Sequence, residues 1–278
     1  MTADTRSTEP PGPAAAAEGP GPDETCDDLL GGALRLIQPR RGYRMAIDTV
    51  LVAAAVPAAP GDRVIEAGLG TGGAALALTH RTGAAVTGLE YQPALATLAR
   101  RNAAFNGLAE RITVVQGSVT DRGAILGPPL DRADADHVYA NPPFSEAQSG
   151  TRSDRAGKGS AHHHTGTTLA DWVAFARRVL RPRGYLTLIH RADRLAALLA
   201  LLDPGFGDVV LCPLWPRGGL GARRILVQAR KDSKGPAHLG PGLTLHSAER
   251  RYSEAAEAVL RHGWGLDLVS GQPYPPKQ

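Results

Sequence analysis

The 278-residue chain is long enough to form one sizeable hydrophobic core with appendages, and its formal net charge at pH 7 is +4. Apolar residues make up 42% of the sequence, but no uninterrupted stretch of about 18 of them occurs, which argues against a membrane span. The acidic, proline-containing N-terminus is unlike an export signal, and the only cysteines are Cys26 and Cys212, so we expect a reduced, cytoplasmic protein without a disulfide framework or a cysteine metal site.

The pattern along the chain predicts a tail and one domain. Residues 1–26 are rich in Pro, Ala and Gly, so we expect a disordered tail before a domain at 27–278. A short element at 34–37 and an amphipathic helix at 47–56 come first. We then predict strands at 63–67, 85–89, 112–116, 137–140 and 184–189, and helices at 72–81, 93–106, 168–180 and 193–202. This alternation predicts an α/β fold with a doubly wound, mostly parallel sheet and ligand sites at the carboxyl ends of its strands.

Two further β-rich runs, 207–214 and 223–230, are joined by a glycine-rich connection. They predict an antiparallel C-terminal edge pair that brings the sheet to seven strands. The connection combines Trp215 with three arginines, which suits a grip on phosphate or stacking on a base. Packing of Trp215 against the sheet is an equally good alternative.

A glycine-rich turn follows the strand at 63–67. It reads Glu66-Ala67-Gly68-Leu69-Gly70-Thr71-Gly72, and its glycines let the backbone turn tightly and approach a ligand. The turn lacks the Gly-x-Gly-x-x-Gly step of dinucleotide-binding loops and has no phosphate-binding Lys, while Glu66 suits a cofactor with an ammonium group. Glu90 ends the next strand, where a carboxylate commonly holds a ribose diol. These features point away from NAD and ATP.

The tetrapeptide Asn141-Pro142-Pro143-Phe144 follows the strand at 137–140. An exocyclic amine or amide nitrogen is a poor nucleophile, so an enzyme that alkylates it needs two acceptors on its N–H groups. The Asn141 side-chain oxygen and the Pro142 carbonyl supply such a pair, which the prolines hold rigid. Phe144 offers a face to a planar base. Alone, the tetrapeptide also fits an ordinary turn; the glycine turn upstream favours the chemical interpretation.

Together, these motifs resemble the class I S-adenosylmethionine-dependent methyltransferases that modify an amine or amide nitrogen. The segments 28–32, 38–39, 42–44, 47–48 and 50–51 are similar to the small-domain branch that contains the tRNA(Val) adenine-37 N6-methyltransferases. The resemblance covers nearly everything from residue 27 onward. It implies a Rossmann-like methyltransferase fold, S-adenosyl-L-methionine as cofactor, an RNA substrate, preferably tRNA methylated at adenine N6, and no metal.

The resemblance also implies roles for residues of this chain. Direct in-line methyl transfer would depend on Asn141, Pro142 and Phe144. The cofactor would be bound by Glu66, Gly68, Gly70, Gly72, Glu90, Ser118, Asn141 and Asp48. The substrate would be bound by Pro143, Tyr43, Arg44, Arg155 and Trp215. Many relatives carry an acid where this chain has Ser118, so Asp121 is an alternative holder of the cofactor adenine.

Charge and loop length bear on the substrate. Beyond residue 28 the chain holds 30 basic and 20 acidic residues, a net charge of +10 that suits a polyanion. The alternative is a composition biased towards arginine, since there are 27 Arg and four Lys. The long polar segment 145–168 is typical of a lid or binding loop. Its triplet His162–His164 fits substrate contact better than metal binding, because adjacent side chains rarely reach one ion.

Three other functions fit the same motifs. A guanine N2 methyltransferase of ribosomal RNA would differ mainly in pocket shape. A glutamine N5 methyltransferase of a protein would use the same acceptor pair, but that family carries an N-terminal helical substrate domain, for which we expect only the tail here. A noncatalytic RNA-binding scaffold is the third, and the intact glycine turn argues against it. The sequence makes no prediction of oligomeric state.

Overall fold

The computed structural model describes residues 19–121, 127–128, 130, 132–144, 166–249 and 251–276. Its strands are β1 (Glu24–Leu29), β2 (Leu34–Pro39), β3 (Arg63–Ala67), β4 (Ala85–Glu90), β5 (Ile112–Gln116), β6 (Ala135–Ala140), β7 (Leu180–Arg191), β8 (Phe206–Trp215), β9 (Arg224–Lys231), β10 (His238–Leu239), β11 (Leu243–Thr244), β12 (Gly265–Leu266) and β13 (Pro273–Tyr274). Its α-helices are α1 (Ile47–Ala54), α2 (Gly73–Thr82), α3 (Pro93–Phe105), α4 (Leu169–Val179), α5 (Leu195–Leu202) and α6 (Glu254–Leu260).

Seven long strands form the central sheet in the order β8-β9-β7-β6-β3-β4-β5. Neighbouring strands run parallel, except that β9 is antiparallel to both β7 and β8. The two-residue strands β10 and β11 pair in parallel with the outer side of β8. The predicted α/β, mostly parallel sheet with an antiparallel C-terminal pair is confirmed. The structure adds that β9 inserts between β7 and β8.

Helices cover both faces of the sheet, and each face has its own apolar cluster. One cluster includes Leu51 of α1 and Leu76 of α2, together with residues of α3 and α6. The other includes Phe175 of α4 and Leu198 of α5. Complete burial of a Leu or Phe side chain contributes about 1.5–3 kcal/mol, so these two clusters hold the sheet rigid between the helices. A rigid sheet fixes the positions of the loops at its carboxyl edge.

An antiparallel hairpin of β1 and β2 precedes the central sheet. We predicted only the element at 34–37, and β1 begins at Glu24, so residues 24–26 of the predicted tail lie in the hairpin. Its strand was missed because acids occupy three of its six positions, a composition that β-strands disfavour. Residues 19–23 of that tail lead into β1, and residues 1–18 lie outside the described residues. The domain start at residue 27 stays a prediction.

A buried amide attaches this hairpin to the glycine turn. Asn102 of α3 is fully buried; its Oδ1 accepts the Ile37 N–H at 2.8 Å, and its Nδ2 donates to the carbonyls of Ile37 at 2.8 Å and Thr71 at 2.9 Å. Asn106, one turn later, makes a similar pair of bonds to Arg35 at the exposed end of the hairpin. The side chain of Asn102 therefore ties β2 to the segment that turns into α2.

We expect Asn102→Ala to lower the free energy of unfolding by about 3 kcal/mol, since it leaves three buried backbone groups without partners. Urea denaturation measures this loss. Asn106→Ala is the matched control, with an expected loss of about 1 kcal/mol because water replaces its exposed bonds. Equal losses of unfolding free energy in the two variants would show that the buried bonds of Asn102 contribute no more than the exposed bonds of Asn106.

Candidate active site

The two sequence motifs lie side by side at the carboxyl edge of the sheet. Ala67 of β3 pairs with Ala140 of β6, so Gly68 and Asn141 leave neighbouring parallel strands at the same level. On the other side of β3, Ala67 pairs with Leu89, the residue before Glu90. The glycine turn is thus flanked by the Asn141 tetrapeptide and by the carboxylate at the end of β4.

The glycine turn uses conformations that favour glycine. Gly68, Gly70 and Gly72 have φ values of 76°, 58° and 87°. A Cβ atom on Gly70 would lie 2.4 Å from the Tyr43 hydroxyl, and one on Gly68 would lie 2.6 Å from the ring of Trp172. These contacts leave no room for a side chain on the turn. The N–H groups of the turn are bonded within the fold: those of Gly68 and Leu69 to the Leu89 carbonyl, that of Gly72 to the Leu69 carbonyl and that of Gly70 to Glu90.

Glu90 is held against the turn by backbone donors. One carboxylate oxygen accepts the Gly70 N–H at 2.7 Å, and the other accepts the Gln92 N–H at 2.8 Å. Burial raises the pKa of Glu90, and the bonds to these two amides oppose that rise. A carboxylate oxygen has two lone pairs, so each oxygen can still accept a hydroxyl group.

Glu66 lies beneath the turn. Its carboxyl group accepts the Tyr139 hydroxyl at 2.8 Å and the backbone N–H of Ala75 in α2. Burial raises its pKa to about 8, against the partly compensating effect of these bonds. The side chain therefore supports the start of α2 from below, and its assignment to the cofactor stays a prediction.

This buried carboxyl makes stability depend on pH. Between the ordinary pKa of 4.5 and about 8, the folded protein binds a proton at Glu66 that the unfolded chain releases, so stability falls as pH rises through that range. Glu66→Gln removes the titration and keeps an oxygen for Tyr139. We expect the variant to exceed the wild type in unfolding free energy at pH 8 by at least about 1 kcal/mol, with the difference shrinking towards pH 4.

Urea unfolding at several pH values measures this difference, with the exposed Glu110→Gln as control. Burial also raises the pKa of Glu90, so the wild type keeps part of its pH dependence after the substitution. If the difference in unfolding free energy between the wild type and Glu66→Gln is the same at pH 4 and pH 8, the pKa of Glu66 is not raised in the folded protein.

The end of β5 brings Ser118 and Asp121 together. The Asp121 carboxylate accepts the Ser118 N–H at 2.8 Å, while the Ser118 hydroxyl lies 2.8 Å from that of Thr120. Gly117 donates its N–H to the Glu90 carbonyl, which places this turn beside β4. Both candidate holders of the adenine therefore occupy one turn at the carboxyl edge of the sheet, and the choice between them stays open.

Asn141 carries an acceptor atom without a partner. Its Oδ1 is buried, and no donor among the described residues reaches it. Pro142 is buried, whereas Pro143 and Phe144 are half-buried. A buried carbonyl oxygen without a hydrogen bond costs about 1–3 kcal/mol, so such a group in a native structure calls for an explanation, of which a catalytic role is one.

The surroundings of Phe144 include residues that the motif analysis missed. The guanidinium carbon of Arg224 lies 4.5 Å from the Phe144 ring centroid, and His190 packs edge-on against the same ring at 5.4 Å. Arg224 in turn donates from Nε to Asp48 at 2.9 Å. Asp48, predicted to bind the cofactor, thus lies in an ion pair on the Phe144 side. Nothing in the local sequence links these residues; sequence covariation is the signal that would have found them.

Tyr43, Arg44 and Trp215, three of the predicted substrate residues, each contact a different part of the fold. The Tyr43 hydroxyl lies against Gly70, at the cofactor side of the site. Arg44 pairs with Asp27 of the hairpin at 2.7 Å. The Trp215 indole donates to the Pro241 carbonyl at 3.0 Å, and its contact with RNA stays a prediction. Arg155 and the His162–His164 triplet lie outside the described residues.

Comparison with known proteins identifies the chemistry of this site. A model of the family described as "Methyltransferase domain" matches residues 64–150, which span the glycine turn and the Asn141 tetrapeptide. The chain is 26% identical over 224 residues to a tRNA1(Val) (adenine(37)-N6)-methyltransferase of Shewanella amazonensis, covering 79% of this chain and 91% of the relative. An Aeromonas hydrophila protein of the same name is 28% identical, covering 77% of this chain and 87% of the relative.

A solved structure agrees over most of the chain. The crystal structure of a predicted O-methyltransferase from Agrobacterium tumefaciens superposes with a TM-score of 0.65 and 25% identity, covering 78% of this chain and 96% of that one. The protein is an S-adenosylmethionine-dependent methyltransferase that resembles the class I enzymes. The predicted enzyme class and cofactor are therefore confirmed.

The residues at the carboxyl edge of the methyltransferase sheet fit this cofactor. The glycine turn carries no side chain at Gly68 and Gly70, where a Cβ atom would collide with Trp172 or Tyr43, which is typical of a turn that a ligand approaches closely. Glu90 is fixed by backbone amides, and a carboxylate group has about four acceptor positions, so capacity remains for a hydroxyl group of the ribose. When bound, S-adenosylmethionine supplies an electrophilic methyl group on a sulfonium.

Two other predictions concern metal and membrane. Within the described part of the methyltransferase, three or more His, Cys, Asp or Glu side chains do not come together in a group that could hold a metal ion. None of the described helices has both the length and the apolar character that crossing a membrane requires.

Proposed function

We propose that this methyltransferase transfers a methyl group to the exocyclic amine of a nucleobase in RNA, with adenine N6 in tRNA as the preferred target. The observation that carries the proposal is the buried, unpartnered Oδ1 of Asn141 next to the glycine turn. An acceptor in that position suits an N–H group of the target. The names of the two relatives above support tRNA and adenine as the target.

The chain's own groups have defined tasks in this proposal. Asn141 Oδ1 accepts one N–H of the target amine and the Pro142 carbonyl accepts the other, which draws the nitrogen towards sp³ geometry and directs its lone pair at the methyl group. Phe144 stacks on the base and fixes its plane. Such catalysis depends on orientation and fixed hydrogen bonds and requires no covalent enzyme intermediate.

The substrate side also fits a polyanion. The segment 29–278 carries a net charge of +10, and the loop between β8 and β9 carries Arg217 and Arg223 at the edge of the sheet where the site lies. A target base in a single-stranded loop can leave its stack at low cost and enter the site. Cytoplasmic localisation, with tRNA as partner, belongs to the same proposal.

Incubation of the purified protein with labelled S-adenosylmethionine and total RNA from a strain lacking the enzyme tests this proposal, followed by digestion to nucleosides. We expect N6-methyladenosine in the tRNA fraction. N2-methylguanosine in ribosomal RNA would replace the adenine assignment, and label in added protein extract instead of RNA would support glutamine methylation. Cofactor binding without transfer to any of these would favour a noncatalytic scaffold.

A further inference from the structure

A charged residue from the C-terminal part of the chain packs against one face of the Phe144 ring. Arg224, at the start of β9, places its guanidinium 4.5 Å from the ring centroid, well inside the range of a cation–π contact. His190, at the end of β7, lies beside the same ring, with the two ring centroids 5.4 Å apart and the ring planes at 88°. Arg224 occupies one face of Phe144, so a base that stacks on this ring would use the opposite face.

Arg224 itself is held in place. Its Nε donates to Asp48 Oδ2 at 2.9 Å, and its Nη1 lies 3.3 Å from the Arg223 carbonyl. The Asp48 side chain is only 12% exposed and that of Arg224 33%, so this ion pair is shielded from bulk water. Asp48 belongs to α1 and Arg224 to β9; their pairing thus fixes the guanidinium between two rigid elements.

This arrangement does not suit a phosphate contact. Asp48 neutralises the charge of Arg224, and a neutralised, fixed guanidinium attracts a phosphate less than a free one does. A guanidinium packed on one face of an aromatic ring instead restrains the plane of that ring. The pairing therefore fits the positioning of Phe144 better than the recognition of the RNA backbone.

We infer that Arg224, oriented by Asp48, is a positioning residue that fixes the plane of Phe144 for the target base. This inference rests on the proposed function, because it requires a base stacked on Phe144. The residue acts through the ring, so its contribution disappears when the ring is absent. It also acts on the orientation of the base rather than on capture of the RNA.

A double-mutant cycle tests the inference in the full chain, with tRNA as substrate. Arg224→Gln is expected to lower kcat about tenfold, with KM for tRNA within about twofold of the wild type. Asp48→Asn is expected to lower kcat in the same direction, and Arg224→Lys, which keeps a cation near the ring, to recover part of the loss. In a Phe144→Leu background, Arg224→Gln is expected to have no further effect.

A matched control lies on the same strand. Arg230, near the other end of β9, places its guanidinium 5.1 Å from the ring centroid of Tyr185. Arg230→Gln thus removes a similar contact away from the site and is expected to leave kcat unchanged. Affinity for S-adenosylhomocysteine and the urea midpoint are measured for every variant, and both are expected to stay close to the wild type.

Three results would overturn the positioning role. Additive losses in the Arg224→Gln, Phe144→Leu double variant would show that Arg224 acts independently of the ring. A raised KM for tRNA with unchanged kcat in Arg224→Gln would show that Arg224 contacts the RNA backbone. A lowered KM for tRNA in this variant would show that Arg224 occupies the face of Phe144 that the base needs. Failure of the wild type to methylate any RNA would instead overturn the proposed function, and this inference with it.

Discussion

Asn141→Ala is expected to lower kcat for methyl transfer by at least about 10²-fold to 10³-fold, comparable to the loss of one preorganised hydrogen bond in other active sites. The reason is that the buried Oδ1 without a partner is the acceptor that aligns the target amine. Affinity for S-adenosylhomocysteine is expected to stay within about threefold of the wild type. Single-turnover transfer of labelled methyl groups to tRNA, combined with calorimetric titration of the cofactor product, measures both quantities.

Asn106→Ala is the control for this substitution, since Asn106 makes its bonds at an exposed end of the hairpin. It is expected to methylate tRNA at the wild-type rate. If Asn141→Ala lost cofactor affinity as severely as it lost transfer, Asn141 would be part of the cofactor site alone, and its role towards the target amine would be wrong.

Gly70→Val is expected to abolish measurable binding of S-adenosylmethionine. A Cβ at this position would lie 2.4 Å from the Tyr43 hydroxyl, and the φ of 58° is one that a β-branched residue rarely adopts. The backbone N–H of Gly70 donates to Glu90, so a shift of the turn would displace that carboxylate too. Equilibrium dialysis with the labelled cofactor measures the loss.

Gly70→Ala, which adds the Cβ atom without the branches of valine, is expected to weaken binding by roughly fivefold to 30-fold, the equivalent of the ~1–2 kcal/mol that the αL conformation costs. Gly221→Val, on the β8–β9 loop with open space around its Cβ position, is the control and is expected to bind the cofactor normally. Wild-type affinity in a correctly folded Gly70→Val variant would place the cofactor elsewhere.

The fold was largely predictable because its signals are local. Short apolar strands, glycine turns and amphipathic helices alternate, and the parallel strands β3 to β6 lie close to their predicted positions. The exception at β7 has a physical cause. It begins at Leu180, four residues early, because its register with β6 shifts between Ala135 and His137, and Arg183 adopts a φ of 68° within it. A proline and two arginines there predict a loop.

The site was predictable only where its residues are close in sequence. The glycine turn and the Asn141 tetrapeptide each form one motif, and parallel pairing of β3 and β6 brings them together. By contrast, the pair of Asp48 and Arg224 joins residues separated by 176 positions. Trp215 and Arg44, whose residue types suit RNA contact, also make bonds within the fold. Residue type alone cannot separate these uses.

A crystal structure of the protein with the cofactor analogue sinefungin and an RNA oligonucleotide that carries the target adenine would show directly whether Asn141 and Phe144 bind the base. We expect the analogue to lie on the turn at Gly68–Gly72, with its ribose at Glu90. We also expect the adenine to stack on Phe144, with its exocyclic nitrogen within hydrogen-bond distance of Asn141 Oδ1. An RNA base that lies away from Phe144, with Asn141 directed only at the cofactor, would contradict the roles of these two residues in binding the base.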